Sequence, residues 1–426
     1  MGVAHRLQTE HLKRLKCPLR SLSPLPLAIL LMGSATLLAQ DVSVCVSPDW
    51  FVVQQGQLAG ARLSPLCVGE LHAAEDNREA AESELLAVIA GAPQSTDAYE
   101  ARSTLEHFYF RIGRFRDANA QIDAMLKTHP TAPGLLNLRS LLGLLASYPD
   151  FSLAKGSPAT VRTEVFDGNV FASVTVEGAA RSYMIDTGMP ISMMTRSEAK
   201  SLGLTPQAST TSMNDISGRA SHGLQIVEVD RLVVGATELR HIPFMVVEDT
   251  HGAFVGIPDG HHGILGIQPL AALGILGFQK DGTLSLGQKA RPDSKSIPML
   301  FAGEMPLSRI AYHDQLLTVT FDTGATQTTL NPSFGTLHPE LLKEGQTEDH
   351  TMNGVSGSTI QRSVSLRHLK LVFGREVDLA PATILLNQTI GASAYAAANL
   401  GYDMMQQARP FTIDFRRMLI TFPPAQ

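Results

Sequence analysis

Cysteine is scarce in this chain, with Cys17, Cys45 and Cys67 the three copies in 426 residues. So few thiols exclude a fold stapled by many disulfides. Charge is sparse too. Charged residues make up 17% of the chain, the formal net charge is −6, and the basic residues are scattered, which leaves no electrostatic footprint for nucleic acid. No run is long and apolar enough to read as a membrane span; the longest, Leu25 to Leu38, is broken by Pro26 and small residues. There is no His-Glu-x-x-His, no Gly-x-Ser-x-Gly and no phosphate-loop pattern, which sets aside the chemistries those motifs carry. His261-His262 has no third ligand at a recognisable spacing and reads as a solvated loop. Neither a metal nor a cofactor is expected.

What is present begins with a basic N-terminus (His5, Arg6, Lys13, Arg14, Lys16, Arg20), the apolar Leu25 to Leu38, and Ala39-Gln40-Asp41. About a dozen apolar residues behind a basic segment predict a signal peptide over 1–40. Export to the periplasm or outside the cell is then expected, with an uncleaved membrane anchor as the alternative. Cys45 and Cys67 remain in the mature chain, and the sequence leaves open whether they form a disulfide or stay free thiols.

Residues 41 to about 66 show no clear period, and from Val68 to Pro149 the pattern is helical. Ala98, Ala101, Leu105, Phe108, Tyr109 and Ile112 share one helical face, and Phe115, Ala118, Ile122, Met125 and Leu126 share a second. Gly113 separates them and Pro130 closes the pair. Leu105, Tyr109, Gly113, Ala118 and Pro130 resemble a tetratricopeptide repeat, with a weaker unit at Gly69, Ala81, Leu85, Val88 and Pro93 and a further helix over Leu135 to Leu145. The resemblance implies a small helical array over 41–150, either a seat for a protein partner or a support packed on the next domain. A linker is expected near Asp150 to Pro158.

Short alternating segments separated by turn residues then take over, which predicts an all-β region. They come in two copies. Asp186-Thr187-Gly188 follows Tyr183-Met184-Ile185, and Asp322-Thr323-Gly324 follows the apolar run Leu316 to Phe321. Six residues past each Asp stands a hydroxyl, Ser192 or Thr328, and two further on Met194 or Leu330. From Asp186 to Asp322 is a step of 136. At nearly the same step Ser217-Gly218 matches Ser356-Gly357, Leu265-Gly266 matches Leu400-Gly401, and Leu276/Phe278/Leu284 match Phe411/Ile413/Leu419. An ordered set of signals that recurs at one spacing marks a duplication. The copies span 158–290 and 297–426, joined by Arg291 to Ser296. Two such units related by a pseudo-twofold axis bring two carboxyls face to face, where they share a proton and can activate a water.

The pair resembles the lobes of retropepsin-like aspartic proteases, fused in one chain as in pepsin-like enzymes. Asp322-Thr323-Gly324-Ala325 follows the family's catalytic turn, and Ile264-Leu265-Gly266 its second signature of two apolar residues and a Gly. The resemblance covers roughly residues 160 to 424. It implies an all-β bilobal acid protease fold behind the helical, tetratricopeptide-like domain, and an endopeptidase acting on peptide or protein substrates. Asp186 and Asp322 would be catalytic, supported by Thr187, Gly188, Thr323, Gly324, Ser192 and Thr328. Ser217 and Gly218, with Ser356 and Gly357, would form two Gly-bearing flaps that close over substrate. The chain departs from the pattern at Met189-Pro190, where Ala or Ser is usual, and at Asn399, where the family has an apolar residue. A non-catalytic peptide-binding protein on the same fold is the alternative. Since every expected catalytic group lies beyond Val161, residues 41–150 are expected to be dispensable for cleaving short peptides.

Overall fold

A computed structural model describes residues 49–214, 220–289, 296–354, 357–387 and 396–423. The segment 1–40 with Cys17, and also Cys45, Ser217, Gly218, Ser356 and the linker residues 291–295 lie outside them. Six helices come first: α1 (Trp50–Leu58), α2 (Pro65–Ala74), α3 (Arg78–Gly91), α4 (Thr96–Arg111), α5 (Phe115–Thr128) and α6 (Pro133–Leu145). Helix α4 is capped by the Ser95 hydroxyl, which accepts from Ala98 N–H, and buries the face read from the sequence: Ala98, Ala101, Leu105, Phe108 and Tyr109. Helix α5 buries Phe115, Ala118, Ile122, Met125 and Leu126. Gly113 turns between them at φ +78°. Helix α1 lies in the stretch without a clear period. Two turns that bury only Phe51 and Val53 carry too few residues for a period to show. Cys67, buried in α2, is disulfide-bonded.

The remainder is β. A nine-stranded sheet spans lobe one, and pairing of Gln225–Val234 with Thr237–Val247 adds a closing contact within it. A ten-stranded sheet forms lobe two. The segment expected as a linker contains a strand, Ser152–Lys155, which pairs antiparallel with Thr237–Val247. All four of its residues are exposed, so it has no apolar alternation to reveal it, and backbone hydrogen bonds alone hold it on the sheet.

Between the lobes runs a third sheet of six strands. Its order is Ile297–Pro298, Leu419–Thr421, Phe411–Asp414, Ile275–Phe278, Leu284–Leu286, Ala159–Val161. Each lobe supplies three strands, arranged symmetrically about the middle. There Leu276 faces Ile413, Gly277 faces Thr412 and Phe278 faces Phe411. The two strands that the duplication equates thus pair antiparallel with each other, and Gly277 faces its own equivalent at a step of 135, Thr412, so the pseudo-twofold axis passes between these two residues.

Period-two alternation sorts lobe-one side chains into two sets. Val170, Ala172, Tyr183, Ile185, Met194, Phe244 and Leu265 join a core continuous with lobe two. Their neighbours Phe171, Met184, Met193, Met245 and Ile264 join a second cluster that runs on into Leu105, Phe108, Leu142 and Leu145 of the helices. Helices and lobe one therefore share one apolar core. Polar contacts follow the same seam: Gln268 Nε2 donates to Phe110 O at 2.7 Å, Thr211 Oγ1 to Asn137 O at 3.2 Å, and Ser140 Oγ meets Thr210 Oγ1 at 2.7 Å.

Candidate active site

Each Asp is delivered by a strand and held by a parallel neighbour. Ala179–Ile185 ends at Asp186 and pairs with Gly263–Leu265, with Asp186 N–H donating to Leu265 O at 3.0 Å. Gln315–Phe321 ends at Asp322 and pairs with Ala398–Leu400, with Asp322 N–H donating to Leu400 O at 3.0 Å. Behind each loop sits the predicted hydroxyl. Ser192 Oγ accepts from Gly266 N–H at 3.1 Å and Thr328 Oγ1 from Gly401 N–H at 2.9 Å. Those glycines are required by close approach. A Cβ on Gly266 would stand 2.6 Å from Met189 O, and one on Gly401 2.4 Å from the Gln327 carbonyl carbon. This is the physical content of the second signature.

The two loops are locked together by their threonines, both fully buried. Thr187 Oγ1 accepts from Thr323 N–H at 3.0 Å and donates to Phe321 O at 2.8 Å. Thr323 Oγ1 accepts from Thr187 N–H at 3.0 Å and donates to Ile185 O at 2.7 Å. Every donor and acceptor of this reciprocal set crosses the pseudo-twofold axis. The set fixes each Asp against the other lobe's Gly: a Cβ on Gly188 would lie 2.5 Å from Asp322 Cγ, and one on Gly324 2.2 Å from Asp186 Cγ.

Within each loop the carboxylate takes backbone donors. Asp186 Oδ1 accepts from Gly188 N–H at 2.9 Å, and Asp322 Oδ1 from Gly324 and Ala325 N–H at 3.0 and 3.1 Å. The Asp186 carboxyl is pushed well above its ordinary range, first by burial, then by the charge of Asp322 and a side-chain hydrogen bond between the two. The structure thus brings Asp186, Thr187, Gly188, Asp322, Thr323 and Gly324 into one constellation, with Ser192 and Thr328 as supports behind it.

The flap positions are described only in part. Ser212–Asn214 pairs with Ala220–His222, and Gln346–Gly354 with Gly357–Leu366, so a hairpin stands at the expected place in each lobe. Gly357 opens its strand opposite Gly354. The odd residue Met189 is 5% exposed and belongs to the apolar cluster shared with the helices, which accounts for a large apolar side chain there. His262 Nε2 bonds Ile257 O at 2.9 Å and His261 packs edge-on against Phe166, so the His pair has local partners. Asp403 follows the second signature and has no role assigned from sequence; its Oδ1 accepts from Thr328 N–H and Oγ1–H at 2.9 and 2.7 Å.

The model of an aspartyl protease family matches residues 172–268, a span holding Asp186, Ser192 and Ile264-Leu265-Gly266. No curated protein matches the chain. Among solved structures it is similar to basic 7S globulin from soybean, at 11% identity over 63% of this chain and 95% of that one, with a TM-score of 0.37. It is also similar to a retropepsin-like aspartic protease from Rickettsia conorii, at 19% identity over 31% of this chain and 94% of that one, with a TM-score of 0.22. The family match, falling on the lobe that departs from the usual turn, supports an aspartic protease family.

Proposed function

We propose that the chain is an exported aspartic endopeptidase that hydrolyses peptide bonds with a water activated by Asp186 and Asp322. The observation that carries the reading is the reciprocal threonine set, because it holds two carboxyls in contact across a symmetry axis. Two carboxyls so close cannot both ionise readily, so the pair holds one proton over a broad pH range. The charged member takes a proton from water while the protonated member donates to the substrate carbonyl oxygen, giving a neutral tetrahedral diol. Collapse of the diol returns a proton to the departing amine and leaves an acid and an amine as products. Substrate would be a peptide or protein chain in the cleft between the lobes, covered by the two hairpins. The helices are proposed to be a tetratricopeptide-like array that supports lobe one and offers a surface to a protein partner. The segment 1–40 is proposed to direct export.

The test is cleavage of a mixed peptide pool by the purified chain across pH, with and without a statine-type inhibitor. Inhibitor-sensitive cleavage that disappears in both Asp186→Asn and Asp322→Asn is expected. Undiminished cleavage by a folded Asp186→Asn protein would overturn the reading. Binding of peptides without cleavage at any pH would favour the peptide-binding alternative.

A further inference from the structure

The lobes match closely in register, yet one row of equivalent side chains differs in kind. In lobe one the cross-strand neighbours Met245, Met193, Ile264 and Met184 are all apolar. Their equivalents in lobe two pair in the same way and are Thr383, Thr329, Asn399 and Thr320. Thr320 and Asp322 share one side of their strand, so this row runs up to the carboxyls. There it makes a contact that lobe one cannot copy. Asn399 Nδ2 donates to Asp322 Oδ2 at 3.2 Å, while Thr320 Oγ1 donates to Asn399 Oδ1 at 2.6 Å. The hydroxyl's other acceptor, Ala398 O, is farther at 3.3 Å, so it takes the amide oxygen and leaves the NH2 for the carboxylate; against a charged Asp322 a flipped amide would set oxygen against oxygen. At the equivalent position beside Asp186 stands Ile264, which has nothing to donate.

We infer that Asn399, oriented by Thr320, is a positioning residue that breaks the symmetry of the pair, keeping Asp322 as the charged member and leaving the shared proton on Asp186. The inference rests on the reading of the pair as a catalytic dyad and deepens it, since the dyad alone does not say which carboxyl is acid and which is base. The physical reason is a count of donors. Asp322 accepts from Gly324 N–H, Ala325 N–H and Asn399 Nδ2, and a hydrogen bond donated to the charged form favours that form. Among the described residues, Asp186 has no side-chain amide donor of this kind. Asp186 accepts from Gly188 N–H, and burial with the charge of Asp322 pushes its carboxyl upward. The acid of the second signature loop, Asp403, is turned onto Thr328 and the Met404 N–H.

Asn399 favours loss of the first proton from the doubly protonated pair. It leaves the second loss nearly unchanged, because Asp322 is charged on both sides of that step. The test is Asn399→Leu in the full chain, carrying carboxyl-labelled Asp, with Asp186→Asn and Asp322→Asn used to assign the two resonances in a carbon-13 NMR titration. In the unsubstituted protein Asp322 should ionise in the lower step. In Asn399→Leu that step should move up by about one pH unit, a tenfold change in proton affinity, with the upper step in place. The acid limb of kcat/KM on the peptide pool should follow while the alkaline limb stays. Thr320→Val, which leaves Asn399 itself in place, should cause a smaller shift of the same sign, and Thr320→Ser should restore the original profile. An unmoved lower step in both Asn399→Leu and Thr320→Val, or Asp186 ionising first, would overturn the inference. If no peptide is cleaved at any pH, the enzymatic reading falls, and the NMR titration still decides where the proton resides.

Discussion

Thr187 and Thr323 each use one hydroxyl as both donor and acceptor. In Thr187→Val, Thr323 N–H loses its acceptor and Phe321 O its donor, both in a fully buried setting. Each buried group left unmade costs about 1–3 kcal/mol, so we expect a loss of about 2–6 kcal/mol in denaturant unfolding, with Thr187→Ser close to the original. An equally stable Thr187→Val would mean that the loops are held by strand pairing alone. At Asp186 the linkage has the opposite sign to an ordinary paired carboxylate. Its raised proton affinity means the folded state holds a proton that the unfolded state releases above its ordinary value of 3.8. That opposes folding increasingly as pH rises from there through the folded-state value. Asp186→Asn should therefore match the original stability in strong acid and exceed it at neutral pH. A variant less stable than the original at pH 7 would contradict the assignment of desolvation as the main cause.

At the scale of elements, the helices change the expectation that residues 41–150 can be removed without loss. Their apolar faces lie in one cluster with Met184, Met189, Met193, Ile226 and Ile264 of lobe one. Helix α6 also reaches the base of the first flap hairpin, through Asn137 to Thr211 and Ser140 to Ser209 and Thr210. A chain beginning at Thr160 would lose this cover together with the edge strand Ser152–Lys155. It should expose apolar surface, aggregate, and cleave short peptides poorly or not at all. Solubility by size-exclusion chromatography and activity on the peptide pool would check this; a monomeric, fully active fragment would return the helices to a dispensable role. The same packing explains Met189: deletion of its side chain in Met189→Ala removes buried apolar volume beside the Asp186 turn, not a polar group of the pair.

Across the whole molecule, the helices also clasp lobe two, and this junction carries charge. His107 Nδ1 lies 2.8 Å from Glu304 Oε1, Glu106 is buried beside it, and Arg111 donates to Gly303 O at 2.6 Å while covering the Phe301 ring. The Glu304 carboxylate raises His107 to about 10, and burial raises Glu106 to about 7. Both act in one direction. The His107 contribution is complete below its ordinary value of 6.5 and fades as pH climbs towards 10; Glu106 opposes folding increasingly from 4.5 up to about 7. The junction should be strongest in mild acid and weaken through neutrality. His107 is about a third exposed, so water screens part of the effect. A series of melting temperatures from pH 5 to 10 should fall less steeply for His107→Gln than for the original chain, and parallel slopes would count against the clasp.

The duplication, the two Asp turns, their supporting hydroxyls and glycines, and the faces of α4 and α5 were all legible along the chain, because each rests on local spacing: a turn needs its Gly, a helix its period, a repeat its constant step. Ser152–Lys155 and α1 were not legible, since an exposed edge strand and a two-turn helix carry no pattern of their own. The role of Asn399 was visible only as a departure from an expected apolar residue. Its partner Thr320 was silent, although setting the lobes side by side would have matched Thr320 with Met184 and Asn399 with Ile264. Local spacing along the chain was enough to place two carboxyls on equivalent turns. That the lobes differ around them, with apolar residues beside Asp186 and a polar chain on Asp322, emerged in the folded molecule, because hydrogen-bond geometry and shared cores depend on which residues meet across strands and layers.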